Sequence, residues 1–339
     1  MRPHATKTQR RGVDQRPGPV ETTPTARHPA ATLADVDPLL VIKNSDAGTA
    51  DEETLERGLE VLRAATSVEV AATSDPGELN GVLHRAGSRR IVVAGGDGSM
   101  HAVVAALHRR HELSESVLGL LPLGTGNDFA RGNAIPLEIE EAARVVLHGT
   151  PRPTDLVVDE VGDIVVNNVH LGASSQASRR ADRWKTRLHH AGVGKVNLGK
   201  LGYPIGAALS AFKPPYLRLR VEVDGEVVVD VDRPVLMLSV GNSTDVGGGL
   251  SLTPEADPDD GRVDVMIARS VGPLARFGYA AQLVRGKHPE RDDVLYLRAS
   301  TVSVSGEEFY CSADGEIYGP ERRRTWRIEP AAYRLVVPD

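Results

Sequence analysis

Apolar and polar positions follow two regimes along the chain. Up to about residue 148, short apolar runs alternate with stretches striped every three or four residues. Leu39–Ile42, Val68–Ala72, Ile91–Ala94 and Val117–Leu121 read as strands. Ile91–Ala94 is a continuous run of the kind that a parallel sheet buries on both faces. Leu55, Leu59 and Leu62 stripe a helix that Thr49-Ala50-Asp51-Glu52 opens as a capping box. Met100, Val103, Val104 and Leu107 stripe a second helix, and Ile139, Ala142, Ala143 and Val146 a third. Strands in alternation with helices predict a wound α/β domain.

From about Leu156 short runs take over: Leu156–Val158, Ile164–Val166, Leu217–Val223, Val227–Val231, Val235–Val240, Val263–Ala268, Val302–Val304, Trp326–Ile328 and Tyr333–Val337. Turn pairs such as Asp224-Gly225 and Asp260-Gly261 separate them. This half predicts a mostly antiparallel, sandwich-like β domain with two helical interruptions, roughly Ser178–Ser210 and Pro273–Arg285. In the second, Leu274, Phe277, Ala281 and Val284 form a stripe expected to pack into the core. The expected organisation is a tail over 1–36, an α/β domain over 37–153, a larger β-rich domain over 154–328 and a C-terminal segment over 329–339.

Composition narrows the function classes. With 339 residues and 40% apolar side chains, the chain can bury a sizeable core. No apolar stretch is long enough to cross a membrane as a helix. The single cysteine, Cys311, excludes an internal disulfide or a cysteine-based zinc site. No His sits near it in sequence, so it is not read as a nucleophile. A net charge of −6 gives no support to nucleic-acid binding. Residues 1–30 hold six Lys/Arg, two acids and five prolines, a composition that predicts disorder. This arm has no apolar segment of a secretory signal. A solvated tail and a basic arm touching anionic lipid are its two readings.

Two glycine-rich loops carry the chemistry. Gly95-Gly96-Asp97-Gly98-Ser99 follows the buried strand and opens a helix, so backbone N–H groups and the helix terminus can face an anion. Gly124-Thr125-Gly126-Asn127-Asp128-Phe129 follows the next strand. Two such loops at the C-terminal ends of parallel strands face one crevice. Asp97 and Asp128 read either as turn and cap residues or as carboxylates beside a phosphate-bound magnesium ion. Thr125 offers a hydroxyl to phosphate.

These loops, with Ala130-Arg131 after the second and a late Asp314-Gly315-Glu316, resemble the diacylglycerol kinase catalytic-domain family in its soluble bacterial branch. Thr154-Asp155-Leu156, Asn167-Asn168-Val169, Gly241-Asn242, Gly247-Gly248-Gly249 and Asp259-Asp260-Gly261 extend the likeness over about residues 38–338. The resemblance implies an ATP-binding α/β domain akin to that of NAD kinases, a β-rich second domain and an active site in the cleft between them.

It also implies roles residue by residue. Asn44, Ser45, Asp46, Ala47 and Gly48 match an ATP-contacting turn, in which Ser45 and Ala47 replace the family's Pro and Ser. Thr73 matches a nucleotide-binding Thr. Gly95, Gly96, Asp97, Gly98 and Ser99 match the phosphate loop, and Gly124, Thr125, Gly126 and Asn127 the second one. His101-Ala102 stands where relatives often carry Asn-Glu. Glu316 matches the general base that takes a proton from the attacking alcohol. Asp155 matches a carboxylate near that base, while Asp97 and Asp128 act through magnesium. Asp257, Asp260 and the backbone of Arg262 match a second, structural metal site, with a plain acidic turn as the competing reading.

The implied activity is ATP- and magnesium-dependent phosphorylation of a lipid alcohol, diacylglycerol first. A sphingoid base, another lipid alcohol, a small polyol and a non-catalytic nucleotide or lipid sensor are the rivals. A cytoplasmic protein that visits the membrane surface is implied, and dimers occur among relatives. Residues 179–200 carry seven Lys/Arg against one acid. They suit a membrane approach or a solvated helix face. His189-His190 lacks partner ligands at metal spacing.

Overall fold

The computed structural model describes residues 37–45, 49–172 and 216–339. The tail over 1–36, the turn residues Asp46, Ala47 and Gly48, and the predicted helix over 178–210 with its basic cluster lie outside the described residues.

Four strands form the parallel part: β1 (Leu39–Asn44), β2 (Val68–Thr73), β3 (Arg90–Gly95) and β4 (Val117–Pro122), in the order β2-β1-β3-β4. With β1 and β4 on its two edges and core on both faces, β3 buries Ile91 through Ala94, hence its unbroken apolar run. Helices α1 (Thr49–Arg63), α2 (Pro76–His84), α3 (Asp97–Arg109), α4 (Asp128–Gly132) and α5 (Ile139–His148) connect and follow these strands. The three predicted apolar stripes, on α1, α3 and α5, are buried. Helix α2 has no predicted counterpart. Its start is nevertheless written locally: Asp75 accepts from the N–H of Gly77 (2.7 Å) and Glu78 (3.0 Å), and Pro76 occupies the first turn.

The second half is antiparallel. It contains β5 (Thr150–Asp159), β6 (Ile164–Val165), β7 (Asn168–Gly172), β8 (Leu219–Val223), β9 (Glu226–Val229), β10 (Met237–Gly241), β11 (Asp245–Val246), β12 (Leu250–Ser251) and β13 (Val263–Ala268). Helix α6 (Pro273–Leu283), β14 (Val294–Ala299), β15 (Thr301–Ala313) and β16 (Glu316–Val337) complete it. Trp326–Ile328 and Tyr333–Val337, predicted as separate strands, are parts of β16. A register shift against β5 between Glu329 and Tyr333 lets the strand continue. Near its end Arg334 and Leu335 run parallel to Val117 and Leu118 of β4. One sheet, β14-β13-β10-β7-β15-β16-β4-β3-β1-β2, therefore runs through both halves.

Helix α6 corrects an expectation. Leu274 is 87% exposed, Phe277 57% and Val284 80%, and the helix packs instead through Tyr279, edge-on to His288. A 3.6-residue period marks an apolar face without saying what covers it. No described helix is long and apolar enough to cross a membrane.

Candidate active site

The wall contributed by the α/β half is mainly backbone. β3 ends at Gly95, Gly96 is the extended N-cap of α3, and Gly98 and Ser99 lie in its first turn. The second loop packs directly on the first. A Cβ on Gly124 would lie 2.5 Å from the Gly96 Cα, and one on Gly96 would lie 2.8 Å from the Gly124 Cα. Only two glycines can approach so closely. Asn127, in the left-handed region at φ 55°, closes the second loop. Its Oδ1 accepts from the Gly124 N–H (2.9 Å) and its Nδ2 donates to the Gly124 carbonyl (2.7 Å). Thr125 is exposed at the loop's tip.

Asp97 ties the two loops together. Its Oδ1 accepts from the Phe129 N–H at 2.7 Å and its Oδ2 from the Asp128 N–H at 3.2 Å. Asp97 thus caps α4 from a neighbouring loop. Asp128 is buried and reaches the other half, accepting from the amides of Gly248 (2.9 Å) and Gly249 (3.0 Å). Burial pushes its carboxyl up, the two amides pull it down, and the nearby charge of Asp97 pushes it up again. Net, Asp128 stands above the ordinary carboxylate range.

The wall from the β half is made of side chains. β15 and β16 are joined by a two-residue turn, Asp314-Gly315, with φ 48° and 91°. Positive φ at both positions is what Asp-Gly supplies in a hairpin. The Asp314 carboxylate accepts from the N–H of Val166 (2.7 Å), Asn167 (2.9 Å) and Asn168 (3.3 Å). His101 of α3 meets the same carboxylate at 2.9 Å. Asn167 reaches back, its Nδ2 3.5 Å from Asp97 Oδ1. The hairpin so fixed presents Glu316 as the first residue of β16, exposed, with the Tyr318 hydroxyl donating to it at 3.2 Å. Sequence reasoning assigned no role to His101 or Tyr318. Their signal was their position, two residues after Ser99 and two after Glu316.

The other predicted residues lie apart from this chain of contacts. Both Asp155 oxygens are taken by backbone amides, Gly261 at 2.6 Å and Ala331 at 2.7 Å. Burial raises its pKa, those amides lower it, and Asp260 and Asp257 are the charges that face it. Asp155 thereby holds the Asp257–Arg262 turn to β16, where the resemblance implied a carboxylate near the base. In that turn Asp260 accepts from the Arg262 N–H (2.9 Å) and pairs with Arg298. Among the described residues, no three His, Cys, Asp or Glu side chains are grouped as metal ligands. Thr73 closes β2 beside β1, where its carbonyl accepts from the Ser45 N–H at 3.0 Å. A cavity of ≈ 170 Å³ opens at the ends of β1 and β3, lined by Asn44, Gly95, Lys43, Glu52, Leu55 and Leu123 among others. The last four were absent from the predicted set.

Comparison with known proteins follows this geometry. Residues 38–158 match the diacylglycerol kinase catalytic domain, and residues 167–337 match the YegS C-terminal NAD kinase beta sandwich-like domain. The chain is 32% identical to a probable lipid kinase YegS-like protein of Chromohalobacter salexigens over 258 residues, 75% of this chain and 78% of that one. It is 30% identical to a diacylglycerol kinase of Bacillus subtilis over 234 residues, 68% of this chain and 71% of that one. The fold matches the solved structure of a putative diacylglycerol kinase from Bacillus anthracis with a TM-score of 0.70 at 22% identity, covering 89% and 98% of the two chains.

Proposed function

The chain belongs to the diacylglycerol kinase catalytic-domain family, and from that premise we propose that it is an ATP- and magnesium-dependent lipid kinase forming phosphatidic acid from diacylglycerol. One observation carries the reading: Asp314 sets Glu316 on a rigid hairpin and contacts the helix of the phosphate loop through His101. A carboxylate held opposite a backbone anion cradle is what transfer to an alcohol requires.

In this reading the N–H groups of the two glycine loops bind the triphosphate. Glu316 would take the hydroxyl proton as the acceptor oxygen attacks the γ-phosphorus, and the bond from that phosphorus to the β–γ bridging oxygen breaks to release ADP. Asp97 and Asp128 would be the oxygen donors to magnesium: both flank Gly126, the charge of Asp97 raises the cost of that on Asp128, and each would share oxygens that accept backbone amides. Two carboxylates with substrate phosphates are an ordinary magnesium environment. The ion, when bound, neutralises charge on the transferred phosphoryl group. A second metal at the Asp257–Arg262 turn would likewise have to compete with the bonds of Asp260 to Arg298 and to the Arg262 N–H.

The test is phosphoryl transfer from radiolabelled ATP with magnesium in mixed detergent micelles. Acceptors are diacylglycerol, monoacylglycerol, ceramide, sphingosine, undecaprenol and NAD. Label in diacylglycerol, lost in Glu316→Gln, is the expected result. Label in another acceptor replaces diacylglycerol as the substrate. ATP binding without transfer to any acceptor overturns the kinase reading in favour of a sensor.

A further inference from the structure

Helix α3 carries two histidines seven residues apart, and each meets a carboxylate of the β half. His101 Nδ1 lies 2.9 Å from Asp314 Oδ2, and His108 Nε2 lies 3.2 Å from Glu329 Oε2. Two turns of helix put both imidazoles on one face. The helix that begins in the phosphate loop is therefore stitched to the β15–β16 hairpin and to β16, the strand that begins with Glu316. The two stitches differ. Glu329 is about one-third exposed, whereas Asp314 is 2% exposed and fixed by three backbone amides. Asp314 accepts only, so the proton on Nδ1 of His101 is settled by its partner, and Nε2 carries the proton that titrates.

We propose that His101 is a positioning residue that makes nucleotide binding pH-dependent, its imidazolium holding the phosphate-loop helix to the Glu316 hairpin. The inference rests on the kinase reading for the identity of the ligand. The charges that face His101 are Asp314 and Glu316 from the hairpin and Arg109 from α3 itself. Burial works against the charged imidazole, but the bond to Asp314, its charge and that of Glu316 outweigh burial and Arg109. The imidazole therefore stands above its ordinary value of 6.5. The latch has its full, charge-assisted strength below that value and weakens to a neutral Nδ1–H bond as pH rises through the raised one. The same window governs a positive charge beside the Glu316 hairpin, which would favour a polyanionic nucleotide bound at the adjoining phosphate loop.

The experiment uses the full chain and two readouts. Titration calorimetry with magnesium-ATP from pH 6 to 8.5 is expected to show affinity falling about fivefold across the range in the wild type, as loss of one charge-assisted contact predicts. His101→Asn and His101→Gln are expected to change less than about twofold over that range, while His108→Asn keeps the wild-type slope. In parallel, imidazole NMR of histidine-labelled protein, assigned with His101→Asn, follows the His101 proton directly. Asp314→Asn is expected to lower its midpoint by about one pH unit. A His101→Asn slope that superposes on the wild type, or a midpoint indifferent to Asp314→Asn, overturns the inference. Absence of phosphoryl transfer together with a pH slope removed by His101→Asn would overturn the kinase reading alone.

Discussion

The two walls of the cleft are built from different materials. The α/β wall is backbone: glycines packed Cα against Cα, an asparagine closing its own loop, and a helix terminus. The β wall is side chain: Asp314, His101's partner, and Glu316 on a two-residue turn. A backbone wall can be broken by adding atoms. A side-chain wall is broken by removing one functional group. The difference also sets how far apart in sequence each wall is written. The glycine loops occupy short contiguous stretches, whereas Asp314 and the Asn167 amide it holds are 147 positions apart.

The largest effect is expected on the side-chain wall. Glu316→Gln should lower kcat by about 10²–10⁴-fold, the span of a lost general base. The ATP dissociation constant should move by less than about twofold if, as proposed, that ligand binds the other wall. Calorimetry beside the transfer assay reads both. A large loss of ATP affinity would mean that the two walls share their ligand, and the comparison would fail.

Next comes the backbone wall. Gly124→Ala places a methyl group 2.5 Å from the Gly96 Cα, so one loop must move. A thermal melt should show about 1–3 kcal/mol of destabilisation, the usual cost of overpacking. ATP affinity should fall with it. Gly98→Ala is the matched control: a Cβ there meets nothing within 4 Å, so the fold should be retained. Equal damage from both would mean that glycine serves ligand approach rather than loop packing.

The same division explains what the sequence shows and what it hides. The wound half is legible because its signals are local: a buried run for β3, stripes for α1, α3 and α5, and glycines at the strand ends. Helix α2 escapes periodicity because it is nine residues long, although Asp75-Pro76 announces its start. On α3 and α6 the same apolar spacing leads to opposite outcomes, since Val103 is buried and Phe277 exposed. Spacing defines a face, and only the fold supplies its neighbour. Nothing near Trp326–Ile328 tells that this run joins Tyr333–Val337 in one strand, because the join is a bulge set by β5. In the site, Gly96, Asp97, Gly124 and Glu316 are readable as motif members. The roles of Asp155 and His101 depend on partners more than 100 positions away.

Asp155 gives a smaller effect of a distinct kind. Asp155→Asn replaces one acceptor oxygen by an amide group facing a backbone N–H, at Gly261 or at Ala331. One buried donor is left unpaired, which costs about 1–3 kcal/mol. A thermal melt should register that loss while kcat stays within about threefold of wild type, as for a substitution away from the reacting atoms. A loss of kcat as deep as that of Glu316→Gln, with the melt unchanged, would return Asp155 to the reacting group and enlarge the side-chain wall.

The smallest effect sharpens the comparison most, because it falls where the backbone wall offers a side chain. Thr125 is exposed at the tip of the second glycine loop, so Thr125→Val removes a hydroxyl without opening a cavity. Stability should stay within about 0.5 kcal/mol, the usual result at an exposed position. If the hydroxyl donates to a phosphate, the ATP dissociation constant should rise about three- to tenfold, one hydrogen bond's worth. Calorimetry resolves that easily. An unchanged constant would mean that the Thr125 hydroxyl takes no part in holding the triphosphate. A rise far beyond tenfold would mean that the loop itself had moved. In that case the Asn127 closure would fail with it, and the close approach of Gly96 and Gly124 would depend on the threonine that follows Gly124.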